Sequence, residues 1–351
     1  MKKNFIVASL IASFASVASF AATMDSSNDQ ATTISTFGVI DLGLQKVTTP
    51  GQSQLKMVSG SDSTSRLGWT ATRPLQDDLN ASIWLEAGLT PTVGDSGGSN
   101  GSTTVLFNRR STLSLTSSLG ELRVGRDYSP TYLIALEFDP FATIGVAGVD
   151  NITDTTLGSA AKTSSRSNNQ VQLIVPKASG IYGGLSVAPS DGTAAQGFTA
   201  GRVGYTDGNF DSVIGMSRTQ NPGFSDFVRT NLGVSYQFSS IKLNWYSNQG
   251  QFGSINQTLN ELSAVYKLNP KDIVRASYTS AKAAGSAAIV AKDTANMVGL
   301  GYKHQFDSKT AWYATYSQIQ NKNSAAFGMG SVTPLSGATI SGYESGLEFK
   351  F

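Results

Sequence analysis

The chain has 351 residues, with 26 lysines and arginines against 24 acids, one histidine, no cysteine and 36 glycines, and only 14% of its residues are charged. Without cysteine there are no disulfides and no thiolate metal sites, and balanced charge with no basic run argues against a nucleic-acid partner. After the first apolar stretch, no second one is long enough for a spanning helix.

In chain order, the first feature is a secretory signal. Lys2 and Lys3 precede an apolar stretch from Phe5 to Phe20, and Ser19-Phe20-Ala21 sets small residues at the two positions that matter for cleavage. Residues 1–21 therefore read as a signal peptide. Residues 22–351 read as one domain, since no Pro-rich or Ser-rich linker divides them. Removing the signal takes two lysines and leaves 24 cations against 24 acids, a net charge of zero.

From there alternation recurs and helical periodicity is nowhere sustained. Ile40, Leu42 and Leu44 oppose Asp41, Gly43 and Gln45; Leu67 and Trp69 oppose Arg66, Gly68 and Thr70. Leu79, Ala81, Ile83 and Leu85 oppose Asn80, Ser82, Trp84 and Glu86. The same pattern returns at Val228–Phe238, Ile241–Trp245, Val274–Tyr278, Val298–Phe306 and Tyr343–Phe351. Side chains alternate faces along a strand, so each segment has one apolar and one polar face. Short turns fall near residues 76–78, 118–120, 178–180, 207–209, 239–240, 269–271 and 307–308. Longer polar loops fall near 47–64, 91–103, 129–165, 189–196, 220–226, 250–254, 282–293 and 321–338. Seven turns and eight loops make fifteen connections, hence sixteen strands. Segments of about ten residues alternating between short turns and long loops mark a transmembrane β-barrel. Its apolar faces meet hydrocarbon, and closure pairs backbone groups that lipid cannot satisfy. The fold expected is all-β, a 16-stranded antiparallel transmembrane barrel. Aromatics at strand ends (Phe238, Tyr266, Tyr302, Phe306, Phe351) belong at its interfaces.

The stretch from Arg123 to about Arg166 begins as a strand and runs into the third loop, which is long, half apolar, and carries Glu137 and Asp139 between bulky residues. Loops of that length are usually functional or disordered, and this one reads as packing inside something hollow. The lone histidine, His304, sits near a turn and reads as an interface residue. No second histidine and no phosphate-cradling glycine motif support an enzyme or a cofactor.

Six stretches in order carry a resemblance. They are Phe37-Gly38-Val39-Ile40-Asp41-Leu42-Gly43, Ser65-Arg66-Leu67-Gly68-Trp69, Phe107-Asn108-Arg109, Val124-Gly125-Arg126-Asp127-Tyr128-Ser129-Pro130 with Asp139-Pro140-Phe141, Asn168-Asn169-Gln170-Val171, and the last strand ending in Phe351. Together they resemble the sixteen-stranded general diffusion porins of Gram-negative outer membranes, most of all the neisserial and related branch. Two departures stand out: Arg73-Pro74-Leu75 replaces an acidic first turn, and Ala142 replaces the glycine that commonly follows Asp-Pro-Phe.

The resemblance implies a homotrimer in outer-membrane lipid, with the early strands and the second loop at the subunit contact, passing small hydrophilic solutes and ions. It implies a third loop folded into the lumen, with Glu137 and Asp139 facing wall arginines, and Phe351 as the barrel-assembly residue. Arg66 lies on a polar face by alternation and matches one wall position. Arg109 matches another, whereas alternation extended back from Leu113 and Leu115 aims Arg110 inward, so both stay in the expected constriction. Arg202, Arg229, Arg275 and Lys303 also fall on polar faces and are possible pore-lining residues. Two other readings stay open: a substrate-selective porin for sugars or dicarboxylates, with Trp84 and Tyr246 as inward aromatics, and a non-conducting adhesin or structural barrel.

Overall fold

The computed structural model describes residues 31–96, 99–100, 103–153, 165–178, 180–189, 197–221, 225–284 and 294–351. The signal segment 1–21 lies outside them. Sixteen strands form one closed antiparallel sheet. β1 is Thr33–Thr49, and β2 runs in two segments, Gln52–Ser59 and Arg66–Gln76. Then come β3 (Leu79–Gly88), β4 (Arg110–Ser117), β5 (Gly120–Tyr128), the lumenal helix α1 (Pro130–Phe138), β6 (Arg166–Val175), β7 (Gly180–Ala188), β8 (Phe198–Thr206) and β9 (Phe210–Thr219). The far wall is β10 (Phe227–Phe238), β11 (Ile241–Phe252), β12 (Ile255–Lys267), β13 (Asp272–Ala284), β14 (Thr294–Gln305), β15 (Thr310–Lys322) and β16 (Thr339–Lys350).

β16 pairs back onto β1 from Val39↔Lys350 to Thr48↔Ser341, which leaves no sheet edge. The last residue completes the seam. Gly38 N–H donates to the Phe351 carbonyl at 3.0 Å and Phe351 N–H to the Gly38 carbonyl at 3.1 Å. The Phe351 ring lies across Gly38, where an added Cβ would meet it at 2.2 Å.

The sheet is inside-out relative to a soluble core. Leu185, Leu262 and Leu300 are 60%, 63% and 54% exposed, while Asn231, Glu261 and Ser317 are 0% exposed. The apolar faces therefore point outward, and the polar faces enclose the lumen. Tyr302 and Trp312 (ring centroids 5.7 Å apart) and Phe349 and Phe351 (6.3 Å) gather at the short-turn end, where a ring meets lipid and its polar tip meets water. His304 belongs there too. Its Nδ1 lies 2.7 Å from Asp272 Oδ1, and its ring meets Phe306 edge-on.

Two expected loops are corrected. Residues 47–64 are not a loop: β1 runs to Thr49, turns at Pro50-Gly51, and β2 starts again at Gln52, paired with β1 from Thr49↔Gln52 to Leu42↔Ser59. Likewise β11 and β12 are joined by a turn at Gly253-Ser254, so 250–254 is mostly strand. Strand pairing at the barrel rim needs only backbone hydrogen bonds, so a sequence with few apolar outward positions conceals it. What interrupts β2 is a short inward fold, residues 60–65. Asp41 pins it from the neighbouring strand. Its Oδ2 accepts the N–H groups of Asp62 and Ser63, both at 2.8 Å, and its Oδ1 accepts the Tyr313 hydroxyl at 2.6 Å.

The third loop does fold into the barrel. Ser129 caps α1, its Oγ accepting the Tyr132 N–H at 3.2 Å, and Pro130 opens the helix where no N–H is needed. Ile134, Ala135 and Phe138 pack on the inner wall of β8–β10. That wall makes room for them: a Cβ on Gly215 would lie 2.7 Å from Ile134, and one on Gly233 2.5 Å from the Phe138 ring. Gly233→Val is expected to lower the urea midpoint of unfolding by an amount equivalent to ~1–3 kcal/mol, the usual cost of overpacking.

Past the helix the loop crosses the lumen. Val149 and Ile152 open and close a short 3-10 turn, and Val146 reaches Gly342 of β16. There it meets the last loop, which also turns inward: Phe327, Met329 and Val332 are buried in the same apolar cluster. Asn321 holds that loop, donating to the carbonyls of Phe327 (3.0 Å) and Ala338 (2.9 Å). Ala142 and Thr143 take positive φ values of 49° and 67°. The position suits the glycine that Ala142 replaces, since the backbone there adopts a conformation that glycine enters freely.

Candidate functional site

Part of the lumen lies between the third loop and the wall of β2–β5. An open pocket of ≈ 300 Å³ is lined there by Arg66, Glu86, Arg109 and Tyr128 on the wall, the 60–65 fold on one flank, and Leu136, Ala142 and Ile144 on the third loop. Arg66 opens the second segment of β2. Its Nη1 donates to the Thr64 carbonyl at 2.8 Å and sits 3.5 Å from Ser63 Oγ. Among the described residues it makes no ion pair.

Arg109 and Arg110 both reach the lumen. Arg110 is the first residue of β4 and faces inward with Thr112, whose Oγ1 it meets at 3.0 Å. Its guanidinium lies 4.4 Å from the Trp84 ring centre and 3.5 Å from Asp127. Arg109 precedes the strand, so alternation does not bind it. It turns inward to Glu86 at 2.5 Å and the Tyr128 hydroxyl at 3.3 Å. The conflict between the two sequence arguments is resolved by where the strand begins.

Beside this lies a set of charged groups that sequence reasoning passed over. Arg123 meets Glu121 at 2.7 Å and Asp127 at 2.6 Å. Arg166 donates to the Arg109 carbonyl at 2.8 Å with its guanidinium 3.9 Å from the Tyr128 ring centre. Glu86 was visible as a polar-face residue of β3. Arg123 and Asp127 lay in a segment whose register is shifted at Gly125, so alternation was of no help there.

Across the lumen the inward fold places Asp62, 4% exposed, between two cations. Lys303 donates to it at 2.6 Å and Arg275 also binds it. Lys303 additionally meets Glu348 at 3.2 Å, and Arg275 reaches the Pro140 carbonyl of the third loop at 3.3 Å. These two expected lining residues are thus lumenal and neutralised. Arg202 is lumenal too, 2.9 Å from Glu137. Arg229 differs from expectation: at 4% exposure it lies buried rather than lining open water.

The two loop acids are not where opposed charge required them. Glu137 is one helical step round from Leu136, which turns it to Arg202 and to Lys177 at 3.1 Å. Asp139 is 4% exposed and closes the helix end. Its carboxylate accepts the N–H groups of Phe141 (2.8 Å), Thr143 (2.8 Å) and Val149 (2.9 Å). Burial pushes its carboxyl above the usual carboxylate range, against the pull of those three donors. The face that the loop turns to Arg66 and Arg109 is apolar. Of the inward aromatics, Trp84 is lumenal, whereas Tyr246 is buried and accepts the Asn231 amide at 2.6 Å.

The chain matches the family described as Gram-negative porin over residues 7–324. It belongs to that family. The porin is 29% identical over 348 residues to outer membrane porin protein 32 of Delftia acidovorans, covering 94% of this chain and 92% of that protein. It is similar in structure to an anion-selective porin from Comamonas acidovorans, with TM-score 0.80 and 26% identity over 92% of this chain and 100% of that one. It shares its fold with OmpT of Vibrio cholerae in a trimer form, with TM-score 0.64 and 16% identity over 92% and 100% of the two chains. The porin is an outer-membrane channel for passive diffusion of small hydrophilic solutes and ions, and its relatives are channels, not enzymes.

Proposed function

We propose that this porin favours small anions, with Arg66, Arg109 and Arg110 as the cations of its constriction. The observation that carries the reading is Arg66. It borders the pocket between the third loop and the wall without an ion pair among the described residues, while the acids nearby are already engaged, Glu86 by Arg109 and Asp62 by Arg275 and Lys303. A cation without a direct ion pair beside apolar loop side chains attracts anions and repels cations where both must shed bulk water. Glu137 and Asp139 act in this reading as anchors of the third loop. The Comamonas acidovorans relative is described as anion-selective, which is in keeping.

The test is the reversal potential across a planar bilayer holding the purified porin in a tenfold KCl gradient. A potential on the chloride side of zero is expected, and one on the potassium side would remove the reading.

The working unit in this reading is a homotrimer, joined through the early strands and the loop after β3. The trimer form of OmpT from Vibrio cholerae supports it. The expected result is a three-subunit mass for the detergent-solubilised protein by light scattering.

A further inference from the structure

The pocket between the third loop and the wall has two unlike sides. Arg66, Arg109 and Tyr128 line one, and Leu136, Ala142 and Ile144 line the other. Small-molecule sites join an apolar surface to a few converging polar groups, so the two sides together describe a solute.

The polar side is set for one carboxylate. Arg66 makes both of its hydrogen bonds through Nη1, to the Thr64 carbonyl and Ser63 Oγ, and its Nε and Nη2 make none among the described residues. In Arg123 those same two nitrogens hold Glu121 as a bidentate pair, Nε on Oε1 at 2.8 Å and Nη2 on Oε2 at 2.7 Å. Arg66 thus keeps open the guanidinium edge that matches a carboxylate. Nearby, the Tyr128 hydroxyl accepts from Arg109 at 3.3 Å and retains its own hydrogen to donate. The Tyr128 ring is held in place, with the Arg166 guanidinium 3.9 Å from its centre and Tyr132 stacked on it at 5.4 Å.

The loop side is apolar by construction. Inward strand positions such as Asn231, Glu261 and Ser317 are polar, yet Leu136, Ala142 and Ile144 stand half-buried in the same lumen. The bonds of Glu137 to Arg202 and Lys177 fix the rotation of α1 that presents Leu136. Ile144 follows Ala142 and Thr143, the two residues at positive φ. The backbone N–H groups of Ala142 and Ile144 already donate to the carbonyls of Asp139 and Phe141, so neither is left for a second carboxylate.

We propose that this pocket selects carboxylates carrying a short apolar chain, with the carboxylate on the Nε and Nη2 edge of Arg66 and the chain along Leu136 and Ile144. This rests on the anion preference proposed above and adds which anions gain most from the site.

The test is block of the KCl current through single channels of the full porin in a planar bilayer, titrated with acetate, pentanoate and glycerate. Glycerate is close to pentanoate in size, but its chain carries hydroxyls. A methylene taken wholly from water strengthens binding about fourfold, and one laid against a single open wall about twofold. Over the added chain of pentanoate this comes to about eightfold, so pentanoate is expected to half-block at about eightfold lower concentration than acetate, with glycerate close to acetate. Ile144→Asn and Leu136→Asn should each reduce that preference to about threefold or less, and the double variant should abolish it. Arg66→Gln should weaken block by all three anions alike. Pentanoate and acetate blocking equally in wild type would overturn the inference, as would a preference that survives the double variant or block unchanged in Arg66→Gln. Should the double variant fail to insert, pentanoate against glycerate in wild type decides the matter, and equal block overturns the inference. A KCl reversal potential on the potassium side would remove the anion reading and this inference with it. One on the chloride side without a pentanoate preference would remove this inference alone.

Discussion

Arg66→Glu is expected to abolish most of the anion preference, changing the anion-to-cation permeability ratio about fivefold to tenfold. The reasoning is electrostatic. An ion passing ~7 Å from a fixed charge feels ~0.6 kcal/mol in water, and roughly half of that survives screening at ~0.1 M salt. Reversing the charge doubles the change and acts with opposite sign on anion and cation. The ratio therefore shifts by ~1.2 kcal/mol. Arg66 is the residue to reverse because its hydrogen bonds go to Thr64 and Ser63 and no carboxylate forms an ion pair with it among the described residues. Arg109→Glu is a poorer probe, since it also sets a second carboxylate against Glu86. A reversal potential for Arg66→Glu equal to wild type would show that the current passes elsewhere.

Asp139→Ala should enlarge the channel and make it noisy. The substitution strips one acceptor from three backbone N–H groups, those of Phe141, Thr143 and Val149. Each buried donor left without a partner costs ~1–3 kcal/mol, so even the low end of that range comes to ~3 kcal/mol on one loop. The loop has other anchors: Phe138 over Gly233, Val146 against Gly342, and Glu137 on Arg202. The barrel itself should therefore still close. What is lost is the fixed path across the lumen, in which Ala142 and Thr143 are held at positive φ. Single-channel conductance is expected to rise by up to about twofold with larger open-state fluctuations, since a lumen of this strand number is wide without an inward loop. Protease cleavage between residues 139 and 153 should accelerate as well. Unchanged conductance and unchanged cleavage would mean that the remaining anchors suffice.

The sixteen-strand wall was legible because its physics is local. Alternation at Ile40–Gln45, Leu79–Glu86 and Val228–Phe238 follows from a strand that meets hydrocarbon on one side and water on the other, and no tertiary knowledge is needed to see it. Arg66 and the lumenal direction of Arg110 came by the same route. Strand ends were missed at 47–64, where only Leu55 and Met57 mark the outward face, and at 250–254, where glycine and polar residues leave no alternation.

The arrangement inside the lumen was decided only by the tertiary structure. Two acids on a loop carry no mark of where they point. The helical step from Leu136 to Glu137 turned one to Arg202, and the helix end at Asp139 drew the other inward to three N–H groups. Nor could the sequence show that Asp62, from a break in β2, would cross to Arg275 and Lys303, 213 and 241 residues away in the chain. Alternation assigns a face, which is a property of one strand. Whether a charge stands free or neutralised depends on which distant strand the closed barrel brings opposite it, and that is a property of the whole ring.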